Sequence, residues 1–162
     1  MSYSGFVSVT AVAAAMLTLA GAAQAQQQAW GVSDTPQTDN TGPYCALWYG
    51  RTRPMLQLQV RNDRRLLILA APEFTEARGG DTATLRFPTG FEAGIPIVNA
   101  DGEGIFIVRL SPASVDTLLE NLSTLGVFRV TVSGHSVSYP VWQDLAGAIV
   151  HLRNCESQLP AS

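Results

Sequence analysis

Two cysteines, Cys45 and Cys155, constrain this chain most, because they lie near the two ends of its structure-forming part. Two cysteines in an exported protein usually form a disulfide, whereas a metal site would need three or four ligands at close spacing. Only His135 and His151 could join them as ligands, so we predict a disulfide. Closing a 110-residue loop would stabilise the folded state by up to about 4.7 kcal/mol through the entropy of the unfolded chain.

Export itself is predicted from the amino terminus. The first 25 residues contain no Asp, Glu, Lys or Arg, and residues 6–22 are mostly small and apolar. The segment ends in Ala23-Gln24-Ala25, the A-x-A pattern of a signal-peptide cleavage site. An uncleaved membrane anchor is the alternative, but a spanning helix needs about 20 apolar residues and this run is broken by Ser, Thr and Gly. We therefore expect cleavage after Ala25 and a periplasmic or secreted protein.

The remaining sequence is predicted to form one domain. Removing residues 1–25 from the 162-residue chain leaves 137, which suffices for one hydrophobic core. We predict a flexible leader over 26–42, which is polar and rich in turn formers, a globular domain over 43–156, and a tail over 157–162. The net charge of −3 gives no reason to expect a nucleic-acid partner.

Strand patterns dominate the domain. The segment "MLQLQV" at 55–60 alternates apolar and polar residues, which is typical of a strand with one solvated face. The following "RLLILA" is apolar on both faces, so we expect a central strand paired with it. Asp101-Gly102 between two apolar runs predicts a further hairpin. About eight short strands in sequential hairpins predict an α+β fold with a mainly antiparallel β-sandwich or barrel-like core.

Two helices complete the predicted fold, over about 112–125 and 143–154. The first has Ser111 as N-cap, Pro112 in its first turn and Gly126 just beyond its end. Its apolar stripe consists of Val115, Leu118, Leu119, Leu122 and Leu125. The second helix turns Leu145, Ala148, Ile149 and Leu152 toward the core and brings Cys155 to the edge of that face.

The sequence contains no recognisable catalytic or metal-binding motif. It lacks H-E-x-x-H, C-x-x-C and G-x-S-x-G, so we expect no metal, no cofactor and no catalytic residue. The alternative is a hydrolase that uses scattered carboxylates, or Ser136 with His135 or His151.

An arginine cluster is the one feature that points to binding. We predict a possible binding patch for an anionic partner, formed by Arg51, Arg53, Arg61, Arg64 and Arg65 with the neighbouring Trp48 and Tyr49. The alternative is that these arginines only keep strand ends and turns soluble.

The order of four segments resembles the layout of the invasion-associated locus B family of exported bacterial proteins. These segments are "RLLILAAPEF", "GGDTATLRFPTGFEAG", "SVDTLLENLSTLGVFRVTVSG" and "VSYPVWQDLAGAIVHL", and the resemblance covers roughly residues 44–153. It lies in spacing and character. It implies an exported, disulfide-linked, mostly β protein and assigns no catalytic residue.

Together these features predict a non-enzymatic envelope protein, either a binding module or an accessory subunit of an envelope complex. Its partner would be a protein or an anionic envelope component, and it would reach the membrane only through that partner. The alternative function is an inhibitor or immunity-type protein that blocks an exported hydrolase with the long charged loop at 72–81.

Overall fold

Ten strands and two helices build the protein in a computed structural model that describes residues 29–141 and 144–160. The predicted signal peptide therefore lies outside the described residues. The strands are β1 (Trp30–Val32), β2 (Gln37–Asp39), β3 (Gly42–Tyr49), β4 (Met55–Val60), β5 (Arg65–Ala70), β6 (Thr82–Arg86), β7 (Glu92–Ala100), β8 (Ile105–Leu110), β9 (Gly126–Val132) and β10 (His135–Val141). The helices are α1 (Pro112–Leu122) and α2 (Asp144–Glu156).

The strands form one antiparallel sheet that curves into a half-barrel. Their order is β1-β3-β4-β5-β8-β7-β6-β9-β10, and the short β2 pairs with β3 beside this path. Strand alternation builds the core, because Leu56, Leu58 and Val60 of β4 are fully buried while the residues between them are partly exposed. This architecture confirms the predicted α+β class and mainly antiparallel sheet.

Both helices lie where their apolar stripes predict. Ser111 caps α1 by accepting a hydrogen bond from the backbone N–H of Ser114 at 3.0 Å. The helix ends earlier than predicted, because the N–H of Ser123 bonds to the carbonyl of Glu120 and tightens the last turn. Leu125 was therefore wrongly assigned to the buried stripe, and its side chain is 54% exposed.

The disulfide is present as predicted. Cys45 in β3 and Cys155 in α2 are bonded, with their Cα atoms 5.9 Å apart, and both residues are fully buried. Helix α2 also presses Leu145 and Leu152 into the core, and it contacts β1 and β3. The disulfide therefore links α2, the last helix, to β3, the first long strand.

The segment predicted as a flexible leader differs from that prediction where it is described. It contributes β1 and β2, which pair with the two ends of β3. The physical cause is Trp30, whose ring lies 5.4 Å from that of Tyr49 and whose indole N–H donates to the carbonyl of Pro140 at 2.7 Å. The contacts of this one buried tryptophan therefore hold the polar segment against β3 and β10.

A hairpin between β6 and β7 was not predicted. Strand β7 begins at Glu92, and it pairs with β6 across the turn at 87–91. Gly94 and Pro96 concealed the strand, because both residue types are depleted in strand interiors. This hairpin forms one wall of the site described next.

Candidate functional site

The predicted arginine patch is divided by the fold. Arg51 and Arg53 precede β4, while Arg61, Arg64 and Arg65 follow it. A six-residue strand is about 20 Å long, so the two groups lie at opposite ends of the sheet. They form no single surface.

Arg61 is buried and bonded to other parts of the protein. It is 4% exposed, it donates to both carboxylate oxygens of Asp39 and to the carbonyl of Gly42, and its guanidinium lies over the ring of Tyr44. Hydrogen bonds from Arg61 and then from Thr41 hold the pKa of the Asp39 carboxyl well below its usual range. This ion pair links β2 to the turn between β4 and β5 and leaves Arg61 unavailable to a ligand.

The aromatic members of the predicted patch also separate. Tyr49 is 3% exposed and packs between Trp30 and Tyr139, where burial raises its pKa. Trp48 is partly exposed, and its indole covers the backbone of Gly31. The structure therefore assigns Tyr49 to the core.

The residues of the alternative hydrolase hypothesis do not converge. His135 lies 3.6 Å from the carboxylate of Glu76, whereas His151 Nδ1 lies 2.9 Å from Asp34 in another part of the molecule. The Ser136 hydroxyl bonds to that of Thr131 at 2.7 Å. No nucleophile and base are thus adjacent among these residues.

The strongest candidate site is an apolar cleft between α1 and the β6–β7 hairpin. Its volume is about 300 Å³, which is at the lower end of ligand pockets. Its walls are the uncharged residues Leu85, Phe87, Phe91, Ala93, Gly94, Ile95, Ala113, Ser114, Thr117 and Leu118. A charged group would lose its hydration there without gaining a counter-ion, so the cleft fits an uncharged apolar group.

The two sides of the cleft have different origins. Leu85, Phe87 and Leu118 are buried and belong to the protein core. Apart from Leu118, the helix presents only small side chains to the cleft, which leaves the space open, and Phe91 lies at the opening with 44% of its surface exposed. A large aromatic ring left exposed beside an apolar cavity is a feature of binding surfaces.

The rim of the cleft is fixed in place. The Thr89 hydroxyl of the β6–β7 turn donates to Asn121 Oδ1 in α1 at 2.5 Å, and the Phe91 ring packs 5.8 Å from that of Phe87. The opening is therefore largely pre-formed, which limits the conformational cost of binding.

The sequence analysis did not identify the cleft. The available signal was the apolar composition of "FPTGFEAGI" at 87–95, in which two phenylalanines flank a Pro-Thr-Gly turn. A hairpin formed by this segment places one of the two phenylalanine rings in an exposed position at the end of the sheet. The small residues of α1 that form the other wall carry no pattern of their own.

Within residues 29–141 and 144–160, no group of three or more His, Cys, Asp or Glu residues could hold a metal ion. In the same ranges, neither helix is long and apolar enough to cross a membrane. The Cys45–Cys155 disulfide fits a protein that matures in an oxidising compartment.

Comparison of the chain with protein-family models, with curated proteins and with solved structures finds no match.

Proposed function

We propose that this protein is an exported, non-enzymatic binding module of the bacterial envelope, and that it binds an apolar group of its partner in the cleft between α1 and the β6–β7 hairpin. The observation that carries the proposal is the uncharged, pre-formed cleft with Phe91 exposed at its opening. The disulfide and the amino-terminal sequence pattern support export. Membership of the invasion-associated locus B family, which the segment order suggests, is part of this proposal.

A neutral dye tests whether the cleft binds. The exported, disulfide-bonded protein is titrated with N-phenyl-1-naphthylamine, whose fluorescence rises in apolar surroundings. Thr117→Trp should fill the cleft and abolish the signal, because Thr117 lines it. Glu120→Trp on the exposed face of the same helix is the matched control and should leave binding unchanged.

Two results would contradict the proposal. Equal dye binding by wild type and Thr117→Trp would show that the cleft is not the binding site. Turnover in a broad hydrolase screen that a single substitution abolishes, in a variant that stays folded, would contradict the non-enzymatic assignment.

An inhibitor or immunity-type function is the second candidate, and the anchoring of the loop at 72–81 favours it. Phe74 and Ala77 are buried, and Arg78 N–H donates to the Asp81 carboxylate, so the loop is held in one conformation. Exposed Glu73 and Glu76 would then be the contact residues. Replacing both by Gln should abolish inhibition of the target hydrolase and leave the free energy of unfolding unchanged.

A further inference from the structure

Strand β7 extends beyond the strand beside it. The β7–β8 ladder pairs Ile97 with Val108 and continues from there toward Ala100, because β8 ends at Leu110 and the chain turns into α1. The first part of β7, at 92–95, therefore pairs with β6 alone. Its other edge is open.

The direction of the backbone N–H and C=O groups shows which hydrogen-bonding groups this edge exposes. The N–H of Ile97 donates to the carbonyl of Asp81 at 2.8 Å, and the N–H of Phe87 donates to the carbonyl of Phe91 at 2.9 Å. Odd-numbered residues of β7 therefore bond toward β6, and even-numbered ones point the other way. The N–H and C=O of Gly94 point to the open edge and have no hydrogen-bond partner within the described part of the chain.

Pro96 supports the same geometry. Proline lacks an N–H, so strands tolerate it where that position faces an open edge. Pro96 and Gly94 are both even-numbered, so their backbone groups point to the same side of β7. Pro96 lies where the β8 ladder stops. The sequence thus places proline where no β6 hydrogen bond is lost.

Helix α1 lies alongside this open edge. Its residues Ala113, Ser114 and Thr117 face Ala93 and Ile95 across the cleft. An open strand edge on one side and a helix with small side chains on the other form a slot with an apolar floor.

We infer that an extended segment of a partner polypeptide adds to the open edge of β7 as a short strand and places an apolar side chain in the cleft. This inference rests on the proposed binding function and specifies the ligand class. Main-chain hydrogen bonds to Gly94 would supply affinity, and the cleft would supply specificity for the side chain. The added strand would lie beside β7 in the position that β8 would occupy if β8 were longer.

The open backbone groups favour a peptide over an acyl chain. A polypeptide complements the N–H and C=O of Gly94 with its own amides, whereas a lipid tail would cover both groups without replacing their bonds to water. The uncharged lining further requires an apolar side chain at the position that enters the cleft.

A segment of a different protein fits better than a second copy of this chain. An edge strand of another copy, β1 or β10, would have to supply the apolar side chain, yet Trp30, Val137, Tyr139 and Val141 are buried in its own core. The strand β2 carries only the polar residues Gln37, Thr38 and Asp39. The occupant is therefore a segment that has not already committed its apolar side chains to a folded core.

The test uses linear 12-residue peptides selected from a random phage-displayed library against the exported, disulfide-bonded protein. Each selected peptide is synthesised in its natural form and with alternate amide nitrogens methylated, in both registers. Affinity is measured by calorimetry. We expect methylation in one register to weaken binding at least tenfold, because it removes the strand hydrogen bonds, and methylation in the other register to have little effect.

Two substitutions at one position provide the matched variants. Gly94→Pro removes the edge N–H, and because that N–H faces away from β6 it should leave the β6–β7 ladder intact. It should weaken peptide binding at least tenfold. Gly94→Ala keeps the N–H, and its methyl group would lie 3.1 Å from the Thr82 methyl, which calls for a shift of a few tenths of an ångström. It should weaken binding much less than Gly94→Pro does, and thermal unfolding of both variants verifies that they are folded.

The outcomes separate this inference from the proposed function. Failure to select any peptide, or equal binding of both methylated registers, overturns strand addition while dye binding in the cleft still supports the proposed function. Concentration-dependent self-association that Gly94→Pro abolishes would identify a second copy as occupant and would also overturn it. Binding of dodecanoate that peptides cannot displace would do the same in favour of a lipid.

Discussion

The two halves of the strand order are built differently. In the half that contains β1 and β3, α2 covers the sheet, the Cys45–Cys155 bond joins helix to strand, and the Asp39–Arg61 ion pair holds the small strand β2 in place. In the half that contains β6 and β7, β7 extends past β8, and its open edge borders a cleft of about 300 Å³. We refer to these halves as the closed end and the open end of the strand order.

The difference indicates a division of roles. The closed end holds covalent and ionic links that restrain the chain, and the Arg61 guanidinium there donates to Asp39 and to the carbonyl of Gly42. The open end leaves apolar surface and backbone hydrogen-bonding groups accessible. If stability and binding are separated in this way, substitutions at the two ends should have different consequences.

The largest effect is expected from removing the disulfide. Cys45→Ala combined with Cys155→Ala should lower the free energy of unfolding by about 4 kcal/mol, because the bond closes a 110-residue loop in the unfolded chain. Urea unfolding of the mature protein measures this. Dye binding should persist in whatever fraction remains folded, since the cleft lies at the open end. An unchanged free energy of unfolding would contradict the role of the closed end.

Paired substitutions on the two helices should separate stability from binding. Leu152→Ala removes a fully buried side chain of α2 and should cost about 3 kcal/mol without affecting the cleft. Thr117→Trp at an exposed position of α1 should change stability by about 0.5 kcal/mol or less and abolish dye binding. Loss of binding in folded Leu152→Ala protein, measured below its unfolding temperature, would contradict the separation of stability from binding.

A smaller effect is expected at the start of α1. Ser111→Ala removes the side-chain oxygen that accepts from the N–H of Ser114, and it should cost about 1 kcal/mol. Because α1 forms one wall of the cleft, the same substitution should also weaken dye binding. Ser111→Asp, which retains a capping oxygen, is the control and should restore both quantities.

The smallest effect is a pH dependence at the closed end. The pKa of Asp39 is lowered from 3.8 by Arg61 and Thr41, so its ion pair stabilises the folded state fully above pH 3.8. That contribution is lost as the pH falls through the folded-state pKa. The difference in urea midpoint between wild type and Asp39→Asn should therefore be positive at pH 7 and shrink as the pH falls toward 2. A difference that does not change with pH would exclude this ion pair as the cause.

Sequence patterns predicted the parts of the fold that depend on local or pairwise chemistry. The alternation at 55–60, the cap at Ser111 and the pairing of two cysteines each have one dominant physical cause, and the structure confirms all three. The strand at 30–32 escaped prediction because its cause is distant: Trp30 is held by Tyr49 and Pro140.

The candidate site was less predictable. Arginines close in sequence suggested one patch, but a strand placed between them carries the two groups to opposite ends of the sheet. The cleft depends on where β8 stops relative to β7, and that register is set by tertiary packing. A local pattern at Gly94 or Thr117 does not report such a relation between elements.

Residue-resolved amide hydrogen exchange tests the central claim most directly, because it compares neighbouring amides of β7. In the free protein, the N–H of Ile95 should be protected by the β6 ladder, while that of Gly94 should exchange at nearly the rate of an unstructured chain. Adding a selected peptide should protect Gly94 at least tenfold. Strong protection of Gly94 in the free protein, or no change on peptide binding, would contradict the claim that this edge of β7 is open for strand addition.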